Sequence, residues 1–146
     1  MKTRMLTVAA LLAALPLFAE EDISRYLGME PHEAIAELGA PAEIFSLRGE
    51  SADEDDVVFY YSRHLYLFWF RNRVWQVRLD RRYAGAILGL KMKAERREVL
   101  EVLGSPLAEL EDSLIFQIED RGYPVRLRLF FNENRLVDVY CYRGDY

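Results

Sequence analysis

Residues 37–41 read ELGAP and residues 102–106 read VLGSP. A shift of 65 positions superposes Ala34, Ile35, Leu38, Gly39 and Pro41 on Val99, Leu100, Leu103, Gly104 and Pro106, so the chain reads as two copies of one unit. In each copy the apolar residues fall at i, i+1 and i+4, one face of a helix with 3.6 residues per turn. The glycine then supplies a left-handed cap and the proline beyond it blocks continuation. In the first copy Pro31 stands at the helix start, where its missing N–H costs nothing.

β-rich sequence follows each stop. Three segments, 57–61, 65–70 and 74–79, follow the first, and 114–118, 125–131 and 136–142 follow the second. Turns fall at 71–73, 120–122 and 132–134, which carry the Asn, Asp and Gly that tolerate positive φ. Each half thus reads as a helix and a three-strand antiparallel meander, with an added short strand at 43–47. A unit of this size is marginal alone and exposes two sheet edges. The expected fold class is therefore α+β: two tandem units, about 22–82 and 83–146, in one two-layer domain spanning 20–146.

Period-two alternation assigns faces. In the second half Leu127, Leu129 and Phe131 oppose Arg126 and Arg128, while Val137, Val139 and Cys141 oppose Asp138, Tyr140 and Tyr142. The first set of each pair is expected to be core. By alignment, Tyr66, Phe68, Phe70, Trp75, Val77 and Leu79 are expected to face the first helix.

Lys2 and Arg4 precede an apolar run of about a dozen residues that ends near Pro16 and Ala19. This reads as a signal peptide over 1–19, cleaved near Ala19. The run is short of the roughly 20 residues a spanning helix needs, so no transmembrane span is expected and the destination is periplasmic or secreted. No cysteine lies near the cleavage site to carry a lipid. The remaining 127 residues hold 17 basic and 24 acidic side chains, a net charge of −7. That balance argues against a nucleic-acid partner, which needs clustered cations. Cys141 is the single cysteine, which excludes an intramolecular disulfide.

The helix ending in LGxP, the aromatic second strand and the run 134–139, NRLVDV, resemble the SmpA/OmlA (BamE-type) family of outer-membrane assembly proteins. As a tandem of such units the chain also resembles the β-lactamase inhibitor protein fold. Both resemblances imply protein binding through a sheet or its edges, without chemistry. The chain departs from the first family in lacking a lipid-bearing cysteine and in having two units.

No chemical motif competes with that expectation. His32 and His64 have no ligand partner at metal-binding spacing, so no metal is expected. Cys141 falls on a core position, where cysteine behaves as a small hydrophobe. The acidic run Asp53, Glu54, Asp55 and Asp56 lacks the spaced ligands and turn glycine of a calcium loop and reads as a solvated loop. Gly-rich phosphate loops, GxSxG and HExxH are absent. No catalytic residue and no cofactor are expected, and the chain is not read as an enzyme.

One departure from a solvated surface stands out. The face away from the helix is charged in the second half but reads Val58, Tyr60, Leu65, Leu67 and Trp69 in the first. At roughly 25 cal/mol per Å², leaving these in water forgoes several kcal/mol of burial. The second unit, a neighbouring loop or a homodimer partner would cover them. Alternatively Tyr60, Leu65, Leu67 and Trp69, joined by Tyr140 and Tyr142, form a docking surface for another protein, for example an envelope or outer-membrane component. The expected function is an exported, non-enzymatic protein-binding module, an envelope-assembly accessory. The alternatives are an inhibitor or accessory subunit of a secreted or wall-acting enzyme, and a carrier of a small apolar ligand.

Overall fold

Helix α1 (Pro31–Leu38) and helix α2 (Arg96–Leu103) each stop at the glycine of the repeated motif. In this computed structural model, residues 20–51 and 55–146 are described; residues 1–19, read above as a signal peptide, and Asp53 and Glu54 of the acidic run lie outside them. Pro31 opens α1, and Glu30 and Glu33 exchange backbone and side-chain bonds as a capping box. Gly39 and Gly104 both have φ of 79° and donate their N–H to Ile35 and Leu100. Their ψ values, −171° and −147°, are extended, so the cap is not the left-handed one expected. Positive φ with extended ψ is open to glycine almost exclusively.

The strands are β1 (Glu43–Leu47), β2 (Asp56–Tyr61), β3 (Leu65–Phe70), β4 (Arg73–Asp80), β5 (Ala86–Ile87), β6 (Leu90–Lys91), β7 (Ala108–Glu109), β8 (Ser113–Ile118), β9 (Val125–Asn132) and β10 (Arg135–Arg143). Eight form one antiparallel sheet in the order β1-β2-β3-β4-β10-β9-β8-β7, and β5 and β6 make a separate small hairpin. The α+β expectation, a two-layer domain of helix and three-strand meander units, is therefore wrong. β1 and β7 make each run of strands four long, and β4 pairs with β10 to fuse the two runs. Two eight-residue helices are too short to form a layer over eight strands. Much of their covering role falls to a 3-10 turn before α1, the small β5–β6 hairpin and the connections beside them: Ile23, Tyr26, Leu27, Tyr83, Ile87, Leu90 and Ala94 join Ala34 and Val99 in the core.

The sheet face that meets these elements carries Leu65, Leu67, Trp69, Val74, Val77 and Leu79 from the first half, and Leu127, Leu129, Leu136, Val139 and Cys141 from the second. Tyr66, Phe68, Phe70 and Trp75 lie on the opposite face, contrary to the sequence alignment. One extra residue explains the reversal. Between β3 and β4, Trp69 pairs with Val74 but Phe68 pairs with Gln76, so Trp75 is bulged out. A single inserted residue inverts every later assignment of one strand against the other. The same irregularity recurs between β9 and β10, where Phe131 pairs with Leu136 and Phe130 with Asp138. Val137, expected in the core, is the bulged residue there; Leu136 takes the core position.

Residues just before α1 are tied to the body. Glu21 accepts hydrogen bonds from the Tyr26, Tyr83 and Arg63 side chains, and its N–H donates to Ala86 O. Burial works against ionisation of Glu21, but these donors and the Arg63 charge outweigh it and lower its pKa.

A Cβ at Gly39 or Gly104 meets nothing within 4 Å, so the backbone alone demands glycine there. Gly39→Ala and Gly104→Ala are each expected to lower the unfolding free energy by about 1–3 kcal/mol, measured by urea denaturation.

Candidate functional site

The face of the sheet turned away from the helices collects the remaining aromatic side chains. Two rows of Cα partners cross it. One runs Tyr60, Tyr66, Arg78, Tyr140, Arg128; the next runs Val58, Phe68, Gln76, Tyr142, Arg126. Side chains that oppose one another across antiparallel strands share a face and interact.

Arginines and rings interleave along the first row. The Arg78 guanidinium carbon lies 5.1 Å from the Tyr66 ring and 5.5 Å from the Tyr140 ring, and Arg78 pairs with Asp138 at 2.7 Å. Arg128 lies 4.4 Å from the ring of Phe130, which packs edge-on against Tyr140 at 5.5 Å. Tyr60 and Tyr66 pack with ring centroids 4.8 Å apart at a tilt of 41°. Cations over ring faces are electrostatically favoured and leave the rings half covered rather than fully wet.

Along the second row the apolar side chains are covered by the bulge residue. The Trp75 Nε1–H donates to Asp56 Oδ1 at 3.1 Å, so the indole reaches from β4 across β3 to β2. Val58 and Phe68, on the same face, are 0% and 6% exposed. Tyr146, past the end of β10, packs on Phe70 at 5.6 Å and Trp75 at 6.3 Å. Trp75, Gln76, Arg128, Phe130, Tyr140, Tyr142 and Tyr146 enclose an open cleft of about 360 Å³.

The six residues expected to dock a partner divide evenly. Tyr60, Tyr140 and Tyr142 stand on the outer face, partly exposed. Leu65 and Leu67 are 0% exposed and Trp69 is 6% exposed, inside the core under the helices. Their assignment to a docking surface is corrected: the Trp75 bulge turns them inward and turns Tyr66, Phe68 and Phe70 outward. Sequence reading therefore missed Trp75, Phe130, Arg126 and Arg128 as members of one surface. The usable signal was the strong two-residue turn, whose Arg71 and Asn72 have φ of 48° and 60°, and which fixes Phe70 opposite Arg73.

Other candidates take structural parts. Cys141 is fully buried, and burial, then Asp22, push its thiol up to about 12, so it is not a thiolate. His32 is exposed beside Glu30, and the His64 ring bonds the Tyr60 hydroxyl at 3.1 Å. Asp55 accepts from the Gly49 N–H, while Asp56 serves Trp75. Among the described residues no group of three or more His, Cys, Asp or Glu is placed to hold a metal ion. No helix among them is long and apolar enough to cross a membrane.

At one end of the outer face, Asp80 accepts hydrogen bonds from Tyr66 at 2.9 Å and from the Arg82 side chain at 2.7 Å and backbone at 2.8 Å. Burial alone would raise its pKa, but the Arg82 and Tyr66 donors outweigh it and hold the carboxyl well below the ordinary range. Burial and then the Asp80 bond raise the Tyr66 phenol, which stays a donor.

No protein-family model matches the chain, and no curated protein matches it. Among solved structures, it is similar to the 1.5 Å crystal structure of an extracellular protein containing a SCP domain from Bacillus anthracis str. Ames. The TM-score is 0.55 at 11% identity, over 99% of this chain and 50% of that one. The likeness is one of fold. The chain spans about half the length of the protein it matches.

A carboxylate with a depressed folded-state pKa adds stability that is complete above its unfolded value, about 4, and is lost as pH falls through the folded value. The melting temperature is therefore expected to drop progressively below about pH 4. Asp80→Asn should melt lower at pH 7 and lose less on acidification, as followed by circular dichroism.

Proposed function

We propose that this protein is an exported, non-enzymatic module that binds another protein through the outer face of its sheet. The observation that carries this reading is the partly exposed surface of Tyr60, Tyr66, Trp75, Phe130, Tyr140, Tyr142 and Tyr146, interleaved with Arg78, Arg126 and Arg128. Tyrosine, tryptophan and arginine dominate the energetics of protein interfaces because they are large and amphipathic and lose little entropy per contact. The rings are held by tilted and edge-on packing and by hydrogen bonds before any partner arrives, which lowers the ordering cost of binding.

Three further features support the reading. The leader-like 1–19 segment favours export, and an extracellular protein shares the fold. The sequence resemblances are to families that bind proteins without chemistry. The inner face, with Leu65, Leu67, Leu127 and Leu129 closely packed, favours a surface role over carriage of an apolar ligand between helices and sheet. An inhibitor or accessory subunit of a secreted enzyme is the second reading; the same rigid aromatic face would serve it.

The test places a photo-crosslinking amino acid at Tyr142 and, separately, at Glu101 on the exposed side of α2. A discrete adduct is expected from position 142 alone, and Trp75→Ala combined with Tyr140→Ala should reduce it at least tenfold, in line with loss of interface anchors. Equal adducts from both positions, or none from 142, would count against the proposal. Trp69→Ala should instead lower the melting temperature, as for a large side chain removed from a core.

A further inference from the structure

Resting on the docking reading, we infer that Arg126 and the aromatic cleft beside it recognise a protein segment presenting a carboxylate next to an apolar side chain. The strand arginines of the outer face are not alike. Arg78 has Asp138, and Arg128 donates to Ser113 Oγ at 3.1 Å with Asp112 at 3.9 Å. The side chain of Arg126, which stands opposite Tyr142 and Gln117, makes no hydrogen bond or ion pair among the described residues, and its Nε is buried without an acceptor.

A cation in that position calls for a counter-charge. Gly144, whose N–H donates to Pro124 O, passes over Arg126 so closely that a Cβ there would sit 3.0 Å from Nε. Backbone thus shields the Nε side of the guanidinium from water, while its terminal nitrogens are not buried and have no protein partner among the described residues. The buried Nε–H holds the guanidinium in place without an acceptor, and a carboxylate is the acceptor best suited to the open terminal nitrogens, through short charge-assisted bonds.

The surroundings select the same chemistry. No acidic side chain lines the neighbouring cleft, whose walls are Trp75, Phe130, Tyr140, Tyr142 and Tyr146 with Gln76 and the Arg128 cation. Such a cleft takes an aromatic or aliphatic side chain, and Arg126 takes the charge beside it. A polynucleotide would also supply anions and rings, but it needs a run of free cations. Here the chain carries an excess of acids, and Arg78, central to the face, is already paired.

The experiment is selection of a displayed random-peptide library on the full chain, read by sequencing, with binding of the enriched peptides then measured on variants. Enrichment of Asp or Glu next to an aromatic or aliphatic residue is expected. Arg126→Gln should weaken those peptides about tenfold or more, the scale of one hydrogen bond to a charged group. Arg97→Gln, on the exposed side of α2, should leave them unchanged. Arg126→Lys, which keeps charge but not the fork, should fall between and stands in if Arg126→Gln does not fold. Enriched peptides without acids, or acidic ones indifferent to Arg126→Gln but lost with Trp75→Ala, would overturn the role of Arg126 and leave the docking face standing. No enrichment, or enrichment insensitive to both changes, would overturn both. Arg126-dependent binding of an oligo(dT) probe in place of peptides would overturn the assignment to a protein segment.

Discussion

The pairing of β4 with β10 is the contact on which the rest of the architecture depends. Its register sets Val77 against Cys141 and Leu79 against Val139 on the inner side, and Gln76 against Tyr142, Arg78 against Tyr140 and Asp80 against Asp138 on the outer side. Without it each half would be a four-strand sheet with a further open edge, too small to bury much apolar surface. With it, one ladder joins the two cores into a single cluster and at the same time places the rings of both halves on one continuous surface.

That ladder is also close to a centre of internal symmetry. The positive-φ turns at Arg71-Asn72 and Glu133-Asn134, and the bulged residues Trp75 and Val137, are 62 positions apart, as are Arg78 and Tyr140. The Arg78 and Tyr140 pair thus sits where the two halves meet, with a guanidinium over rings on both sides. Divergence between equivalent positions gives the outer face its polarity: Tyr60, Tyr66, Phe68, Phe70 and Trp75 on the side of the first half, Arg126 and Arg128 among the rings of the second. A surface built this way is rigid at its middle and chemically asymmetric across its width, which suits recognition of one partner in one orientation.

Much of this was legible in the residues. The helix stops at Gly39 and Gly104 and six strands of the sheet lie within a residue or two of where periodicity and turn chemistry put them. The fold class was not legible, because edge pairing between β4 and β10 is a tertiary choice that no local pattern encodes, and the two-residue strand β7 is too short to carry one. The failed face assignment has a narrower cause. β3 reads LYLFWF, apolar at every position, so alternation cannot orient it, and its side had to be carried over by alignment with the second half. One bulged residue then reversed the answer. In β9, where arginine alternates with leucine, the same method placed Arg126, Leu127, Arg128 and Leu129 on their observed sides. Tyr140 and Tyr142 stand on the expected side because β10 alternates around them, whereas β2 beyond Asp56 and β3 are continuously apolar: Tyr60 lies on the outer face, and Leu65, Leu67 and Trp69 lie inside.

The division of the two tryptophans between the faces of the sheet carries the whole account of an outward recognition surface. Hydroxyl-radical footprinting read by mass spectrometry measures it directly on the free protein. Trp75 should be oxidised many times faster than Trp69, with Tyr142 and Tyr146 labelled and Leu65 and Leu67 spared. Labelling of Trp69 as fast as Trp75 would mean that β3 presents its other side to solvent, and the outer face described above would not exist.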